Sequence, residues 1–336
     1  MMIKYFYLVF SVVIQAKANT FNVNVVNKFD NAGFIDDCFP KSTDNCNLRS
    51  AWVACYSITE LLLLSSSCII NLPIKATITI DLSYGSFELN NRSDIIIEGN
   101  EAIIENLSKN DQNSTSNIVP FIYYYYSTYH TMNQTLLSYS NNDNNNNNNV
   151  PLLKINNVTF INFYSYDGSV IYIDGSINLI LTFIKFKDNH AINSGGSVYI
   201  NHNLYSTLIL YNEFVSCNAL NDGGSIYIDS FNNQIKIIGN LFIQSSAEYG
   251  GAIYINSDNH NFMQMDENKL IDCFSNHDGG AIYINENNNN IFIRNNSLLN
   301  CTSVEQGGGI MLSFSNKYLT IANLMIQVVL SMLIMI

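Results

Sequence analysis

The sequence predicts an all-β chain that coils as a parallel β-helix with about 28 residues in each turn. Three observations favour this fold. A seven-residue motif recurs as GGSVYIN at Gly195–Asn201, GGSIYID at Gly223–Asp229, and GGAIYIN at Gly250–Asn256 and Gly279–Asn285. Apolar residues inside the motif alternate with period two, which is typical of strands. Asn, Asp and Gly separate the apolar runs and indicate tight turns.

The interval between the copies sets the length of one turn. The second glycines of successive pairs are spaced by 28, 27, 29 and 28 residues, and they are Gly196, Gly224, Gly251, Gly280 and Gly308. A degenerate copy precedes them at Gly168–Ile173, and a second element, N-x-[F/L]-x-x-[C/N/S], lies between the glycine pairs. Repeats of this length, each holding short strands, predict a solenoid whose turns bury their core against one another.

The alternation within the motif assigns each side chain to one side of the coil. Ile253 and Ile255 should point inward and stack on equivalent isoleucines about 4.8 Å away in the adjacent turns. Tyr254 lies between them and should point outward. The glycines should take positive φ at a corner where a side chain would clash with the turn above.

Three cysteines of the repeats fall in one column. Cys217, Cys273 and Cys301 share a register, and Ser245 holds the same place in the turn between the first two. We interpret them as small interior residues. A Cys273–Cys301 disulfide is the alternative, which the parallel direction of stacked side chains disfavours. No His recurs at a fixed offset, so this column does not predict a metal site.

The N-terminus predicts secretion. Lys4, the apolar run Tyr5–Ile14 and the small residues of Ala16–Ala18 are typical of a signal peptide over residues 1–18, with a membrane anchor as the alternative. Residues 19–75 should form a Cys-containing cap. A secreted chain permits disulfides, and four cysteines with three open connectivities are the candidates: Cys38, Cys46, Cys55 and Cys68.

The stretch CNLRSAWVAC at Cys46–Cys55 predicts a short amphipathic helix with Leu48 and Trp52 on the same face as Cys55. Such a helix can cover the first turn of a β-helix, which otherwise exposes apolar core and an unpaired strand edge.

The β-helix itself is predicted over residues 76–327. Its first strands should be Thr77–Ile80 and Ile95–Gly99. Residues 107–150, which contain Tyr123–Tyr126 and the run Asn144–Asn149, predict an inserted loop that is mostly disordered.

The apolar tail has three open interpretations. Residues 321–327 copy the repeat sequence of residues 238–244, so only residues 328–336 form a separate hydrophobic tail. The chain is then a truncated member of a longer family, or it carries a membrane span or a GPI-attachment signal.

The repeats resemble those of the polymorphic outer membrane proteins, which occur in bacterial autotransporters and in surface proteins of some protists. The resemblance lies in the GGAIYI copies and in the F-x-x-N element at Phe186–Asn189. The segment CNLRSAW is similar to the N-terminal cap of right-handed β-helices, often written C-x-L-R-x-A. The resemblance covers about Cys38 to Gln327 and implies a right-handed coil, a cell-surface location and adhesion as the usual role.

Composition and the repeated tyrosine favour a binding protein. A net charge of −12 disfavours a nucleic-acid partner. An outward aromatic ladder is expected to contact cell-surface glycans or proteins, or to stabilise the sheet alone; its members are Tyr172, Tyr199, Tyr227, Tyr254 and Tyr283. A structural hydrogen-bonded column should run beside it through Asp174, Asn201, Asp229, Asn256 and Asn285.

A polysaccharide lyase or hydrolase is the alternative function, and it needs carboxylates that converge on one face. Four carboxylates precede successive glycine pairs and drift by one position between turns: Asp222, Glu248, Asp278 and Glu305. Like charges about 5 Å apart repel unless a cation lies between them, so a weak calcium site is a further expectation. We predict a non-enzymatic protein, secreted or on the outer face of the plasma membrane, whose tail offers a route to the membrane.

Overall fold

The computed structural model describes residues 20–24, 46–62, 67–80, 86–89, 94–106, 119–125, 150–203, 205–259, 262–313, 316, 318 and 320–327. They form a parallel β-solenoid of about seven turns with about 28 residues in each turn, which confirms the predicted fold class. The predicted signal peptide, the tail at 328–336 and Cys38 lie outside the described residues.

Among the residues that the structure describes, the elements are strands apart from one helix near the N-terminus. They are β1 (Thr20–Asn24), α1 (Leu48–Leu62), β2 (Ser67–Asn71), β3 (Thr77–Ile80), β4 (Phe87–Glu88), β5 (Asp94–Asn106), β6 (Ile122–Tyr125), β7 (Leu152–Ile161), β8 (Tyr164–Ser165), β9 (Ile171–Asp174), β10 (Asn178–Thr182), β11 (Lys185–Lys187), β12 (His190–Ala191), β13 (Val198–Asn201), β14 (Ser206–Leu210), β15 (Glu213–Val215), β16 (Asn218–Ala219), β17 (Ile226–Ile228), β18 (Gln234–Ile238), β19 (Leu241–Ile243), β20 (Ser246–Ala247), β21 (Ile253–Ile255), β22 (Met263–Asp266), β23 (Lys269–Ile271), β24 (Phe274–Ser275), β25 (Ile282–Ile284), β26 (Ile291–Arg294), β27 (Ser297–Leu299), β28 (Thr302–Ser303), β29 (Ile310–Leu312), β30 (Thr320–Ala322) and β31 (Met325–Gln327).

The strands stack into three parallel sheets. Each regular turn contributes two consecutive strands to sheet A, such as β14 followed by β15, and we call these two segments its legs. In the first turns, β5 and β7 each run through both legs as one long strand. Sheet B stacks the strands that carry the repeated tyrosine, from β4 to β29, and sheet C stacks the shortest strands, from β8 to β28. One turn therefore passes from sheet B through both legs of sheet A to sheet C.

A residue with left-handed backbone marks the bend between the two legs of sheet A in every turn from β7 onward. We call this position the inter-leg corner. Its φ values lie between 51° and 66°, and its occupants are Asn157, Phe183, Tyr211, Gly239, Glu267, Asn295 and Asn323. Asn and Gly adopt this conformation readily, whereas bulky side chains do so at a cost. The Asn and Gly occupants therefore suit this left-handed backbone conformation, whereas the bulkier occupants adopt it at a cost.

The two glycines of each pair have separate roles. The first, Gly250 for example, has a φ of 59° and supplies the left-handed backbone of the corner. The second, Gly251, does not have positive φ, but a Cβ there would overlap the backbone oxygen atoms of Gly280 and Phe274 in the next turn. The pair recurs because one glycine makes the bend and the other allows the next turn to approach.

The predicted interior columns are present. Ile253 and Ile255 are fully buried and pair in register with the isoleucines of β17 and β25. A second interior column consists of phenylalanine rings whose neighbouring centroids are 4.6–5.8 Å apart. The rings of Phe160, Phe186, Phe214 and Phe242 are stacked, whereas Phe87 and Phe121 in the first turns make tilted contacts. Cys217, Cys273 and Cys301 are free and buried, which confirms their interpretation as small interior residues.

Two columns of buried asparagine were not predicted as ladders. Their members are Asn212, Asn240, Asn268 and Asn296 in one column, and Asn203, Asn232, Asn259, Asn288 and Asn316 in the other. From the second member of each column onward, Oδ1 accepts the backbone N–H of the member one turn earlier, at 2.8–3.1 Å. The amides thus satisfy buried backbone groups at bends where the strand ladders are interrupted.

The predicted capping helix is confirmed and extends further than expected. It begins after Asn47, whose Oδ1 accepts the backbone N–H of Ser50 at 2.7 Å as an N-cap. Trp52 is buried, donates from Nε1 to the carbonyl of Glu88 at 2.8 Å and meets the Phe87 ring edge-on at 5.4 Å. The helix therefore covers the first ring of the phenylalanine column.

A disulfide attaches this helix to the solenoid. Cys55 at the centre of the helix is bonded to Cys68 of β2, with 5.6 Å between their Cα atoms, and Cys46 is also disulfide-bonded. Strands β1 and β2 lie within the predicted cap at 19–75 but already pair with sheet A. Sheet pairing therefore begins before the predicted start at residue 76.

The prediction of an inserted loop over residues 107–150 is wrong in its middle. Residues 122–125 form β6, which pairs with β4 and β9 in sheet B. Phe121 and Ile122 are fully buried. The run of tyrosines belongs to a repeat turn because Tyr123 occupies the register position of Tyr172. The flanking residues 107–118 and 126–149 lie outside the described part.

Candidate functional site

The tyrosines of sheet B form a continuous stack of six rings. Neighbouring ring centroids are 4.7–5.3 Å apart and their planes differ by at most 19°, and the rings are those of Tyr123, Tyr172, Tyr199, Tyr227, Tyr254 and Tyr283. Five of them were predicted, and Tyr123 was missed because its segment was assigned to a loop. We call these six residues the tyrosine ladder.

The ladder is less exposed than its outward position suggests. Tyr227 is 7% exposed and Tyr254 is 9% exposed. Each inner ring has a neighbouring ring against both faces, so the faces expected to stack on sugars are already covered. A partner can reach only the ring edges and the hydroxyl groups.

Asp229 accepts hydrogen bonds from two hydroxyl groups of the ladder. Its Oδ2 accepts the Tyr199 hydroxyl at 3.2 Å, and its Oδ1 accepts the Tyr227 hydroxyl at 3.4 Å and Asn256 Nδ2 at 2.8 Å. Burial raises the pKa values of Tyr199 and Tyr227 well above the usual range, and the Asp229 charge adds to the effect. These hydroxyls are therefore protonated donors at any physiological pH.

The predicted polar column beside the ladder is largely formed. Asn201 donates to Asp174 at 3.1 Å, Asn256 donates to Asp229 at 2.8 Å and Asn285 donates to Asn256 at 3.1 Å. The alternation of Asn donors with Asp acceptors lets side chains in adjacent turns pair without crowding like charges.

Half-buried carboxyl groups line the opposite edge of the ladder, where each strand begins. Burial, together with the negative charges of Glu248 and Asp229, raises the pKa of Asp222 to about 6. Burial also raises the pKa of Asp167, although hydrogen bonds from Ser194 and Asn193 oppose this shift. Asp222 is therefore partly protonated near neutral pH, unlike an ordinary surface carboxylate.

The four predicted carboxylates divide between two adjacent columns. Glu248 and Glu305 have His277 between them, with Nε2 at 3.0 Å from Glu248 and Nδ1 at 2.8 Å from Glu305. Asp278, in the column of Asp222, accepts the backbone N–H of Gln306 at 2.9 Å. Both ring nitrogens of His277 therefore lie within hydrogen-bonding distance of carboxylate oxygens, which can only accept.

His277 was missed as a member of this column because the histidines were compared only with one another. The repeat register places it one turn from each of the two glutamates. Within the residues that the structure describes, no three His, Cys, Asp or Glu side chains are grouped to hold a metal ion. The imidazole of His277 lies between Glu248 and Glu305, and the calcium site expected along the four carboxylates stays a prediction.

In the part of the chain that the structure describes, no helix is long and apolar enough to cross a membrane. Comparison with protein-family models, with curated proteins and with solved structures found no match.

Proposed function

We propose that this chain is a non-enzymatic, secreted or surface-displayed β-solenoid that binds its partner through the lateral face of sheet B. The tyrosine ladder carries the proposal, because six consecutive turns present the same group at a constant spacing. Solenoids use such repeated lateral surfaces for recognition. The partner would be a cell-surface glycan or protein, in an adhesive or coat-forming role.

The chemistry of this face favours a polar, hydrogen-bonding partner. Ring stacking leaves hydroxyl donors and carboxylate or carboxamide groups at the surface, as around Asp229. Hydroxyl-rich or amide-rich chains match alternating donors and acceptors, whereas polyanions are disfavoured by the net charge of −12.

Two observations support an extracellular location for this proposal. Disulfides such as Cys55–Cys68 persist in oxidising compartments, and the first residues have the pattern of a signal peptide. The motif resemblance to polymorphic outer membrane protein repeats supports the same role, and membership of that group is part of the proposal.

Retention on immobilised polysaccharides and cell-surface extracts tests the proposal, with the full chain as the probe. We expect retained protein without released sugar ends. The double change Tyr227→Phe and Tyr254→Phe keeps the rings stacked but removes two hydroxyls, and it should weaken retention. Tyr318→Phe is the matched control, because Tyr318 is 77% exposed and lies outside the ladder. Equal retention of both variants would exclude the ladder hydroxyls from binding.

A polysaccharide hydrolase is the second candidate, and Asp222 is the observation that favours it. A carboxyl group with a pKa near 6 beside other carboxylates is suited to general acid catalysis at neutral pH. Release of sugar ends in the same assay, lost in Asp222→Asn and retained in Asp278→Asn, would support catalysis. Absence of release across the panel would contradict it.

A further inference from the structure

Two aromatic residues occupy the inter-leg corner, where the left-handed backbone conformation disfavours large side chains. Phe183 has a φ of 53° and Tyr211 a φ of 56° at the inter-leg corner, where Asn157, Asn295 and Asn323 have the same conformation. Asparagine tolerates this left-handed region, whereas a large aromatic side chain is strained there. Local preference does not account for aromatic residues in these two turns, and retained strain of this kind often marks a functional position.

The two rings form an ordered and exposed platform. Their centroids are 5.7 Å apart and their planes differ by 14°. Phe183 is 60% exposed and Tyr211 is 52% exposed, in contrast to the buried rings of the tyrosine ladder. In the next turn the corner residue is Gly239, and a Cβ there would lie 2.5 Å from the Tyr211 ring. The missing side chain lets this ring lie close against the backbone and fixes its position.

Polar groups border the platform on both legs of sheet A. Lys185 Nζ lies 2.8 Å from Glu213 Oε1, on the strands that follow the two corner residues. The Thr182 hydroxyl, next to Phe183 in the chain, donates to Asn156 Oδ1 at 3.0 Å. Ammonium, carboxylate, hydroxyl and carboxamide groups thus lie close in the chain to the two rings, where they are paired with one another.

We propose that Phe183 and Tyr211 form a binding platform for a neutral pyranose sugar. Phe183 covers one face of the Tyr211 ring and Gly239 of the next turn lies close to the other, so the face of Phe183 turned away from Tyr211 is the one on which the C–H face of a pyranose ring would pack. The hydroxyls of the sugar would need donors and acceptors at the rim of the two rings. The oppositely charged pair Lys185–Glu213 and the acidic chain favour a neutral sugar over an anionic one. This inference rests on the proposed binding function and gives it a separate site on sheet A.

The test replaces both aromatic residues by the residue that this corner accepts. The double variant Phe183→Asn/Tyr211→Asn removes both rings but places asparagine, which tolerates the left-handed conformation, at the two corners. Its midpoint of thermal unfolding should therefore equal that of the wild type or be higher. The probes are cellohexaose, N-acetylchitohexaose and mannohexaose, measured by titration calorimetry and saturation-transfer NMR. We expect the wild type to bind at least one of them and the double variant to bind it at least about tenfold more weakly.

Phe231→Asn provides the matched control. Phe231 is 47% exposed and has a φ of 60° at the corner after sheet B, where Asp258 and Asn287 adopt the same conformation. This variant also exchanges an exposed, strained aromatic residue for asparagine, but away from the platform. It should bind the sugar within about twofold of the wild type.

Three results would overturn the sugar platform. They are equal sugar binding by the wild type and the double variant, a clear loss of thermal stability in the double variant, and no binding of any of the three sugars. Retention on surface extracts separates the two proposals. A wild type that is retained there but binds none of the sugars overturns only the platform, whereas no retention on any surface also removes the proposed binding function.

Discussion

The buried asparagine column of Asn240 and the tyrosine ladder run through the same turns with the same period, yet different forces hold them. Asn240 Oδ1 accepts the backbone N–H of Asn212 at 2.8 Å, and its Nδ2 donates to the carbonyl of Ile209 at 2.8 Å. The ladder is held by ring stacking, and its hydrogen bonds involve side chains such as Asp229.

This difference predicts where the solenoid tolerates change. A buried backbone group that loses its hydrogen-bond partner cannot reach water. Each asparagine of the interior column is therefore needed to pair a backbone N–H group of the preceding turn. A ladder tyrosine can lose its hydroxyl and still stack. Sheet B can therefore vary its polar edge without loss of the fold, which suits a recognition surface.

The largest expected loss of stability comes from a change at Gly251, the second glycine of its pair, which allows the next turn to approach. Gly251→Ala should destabilise the protein by roughly 4 kcal/mol, because the added Cβ overlaps backbone oxygen atoms that cannot move aside. Gly308→Ala is the matched control in a later turn, where the nearest atom to the added Cβ is 3.5 Å away, and it should cost less than about 1 kcal/mol. Urea unfolding measures both, and equal losses would contradict this role of the second glycine.

Asn240→Ala tests the interior column directly. It should cost roughly 3 kcal/mol, since it leaves the N–H of Asn212 and the carbonyl of Ile209 without a side-chain partner in a buried site. Asn285→Ala, in the outer polar column, removes one bond to Asn256 at a half-buried position and should cost less than about 1 kcal/mol. Similar free energies of unfolding for the two variants would remove the distinction between the columns.

Tyr227 separates the stacking of the ladder from its hydroxyl groups. Tyr227→Ala should cost roughly 2 kcal/mol because both neighbouring rings lose a stacking partner. Tyr227→Phe should cost only about 0.5 kcal/mol, since Asp229 keeps donors from Tyr199 and Asn256. Thermal unfolding gives both values, and a phenylalanine variant as unstable as the alanine variant would mean that the hydroxyl, not the stack, holds the ladder.

Asp222 is expected to give a small effect on stability with a defined pH dependence. Its folded-state pKa of about 6 exceeds its usual value of 3.8, so the folded state binds more protons between these values. The free energy of unfolding therefore decreases through this group as pH rises from about 4 to about 6. Above pH 6 the protein stays less stable by that amount. Asp222→Asn should stabilise the protein by about 1 kcal/mol at pH 7 and have little effect at pH 4. Thermal melts at the two pH values measure the difference, and an equal shift at both would exclude ionisation as its cause.

Much of the architecture could be predicted from the period alone. The glycine spacing placed Tyr199 and Tyr227 in one column, and the alternation placed Ile253 and Ile255 in the core. The helix face with Leu48 and Trp52 followed from its apolar spacing. The segment around Tyr123 was missed because its low-complexity surroundings hid one copy of the repeat.

The sequence by itself determined which residues share a column, because a constant period brings them to the same position in successive turns. It did not determine how neighbouring columns shield one another. Only the tertiary structure buried the faces of the ladder, placed His277 between two glutamates and left Phe183 and Tyr211 exposed. The reason is physical: burial and charge contacts depend on the cross-section of the turn, where columns distant in sequence come together, and the period carries no information about that shape.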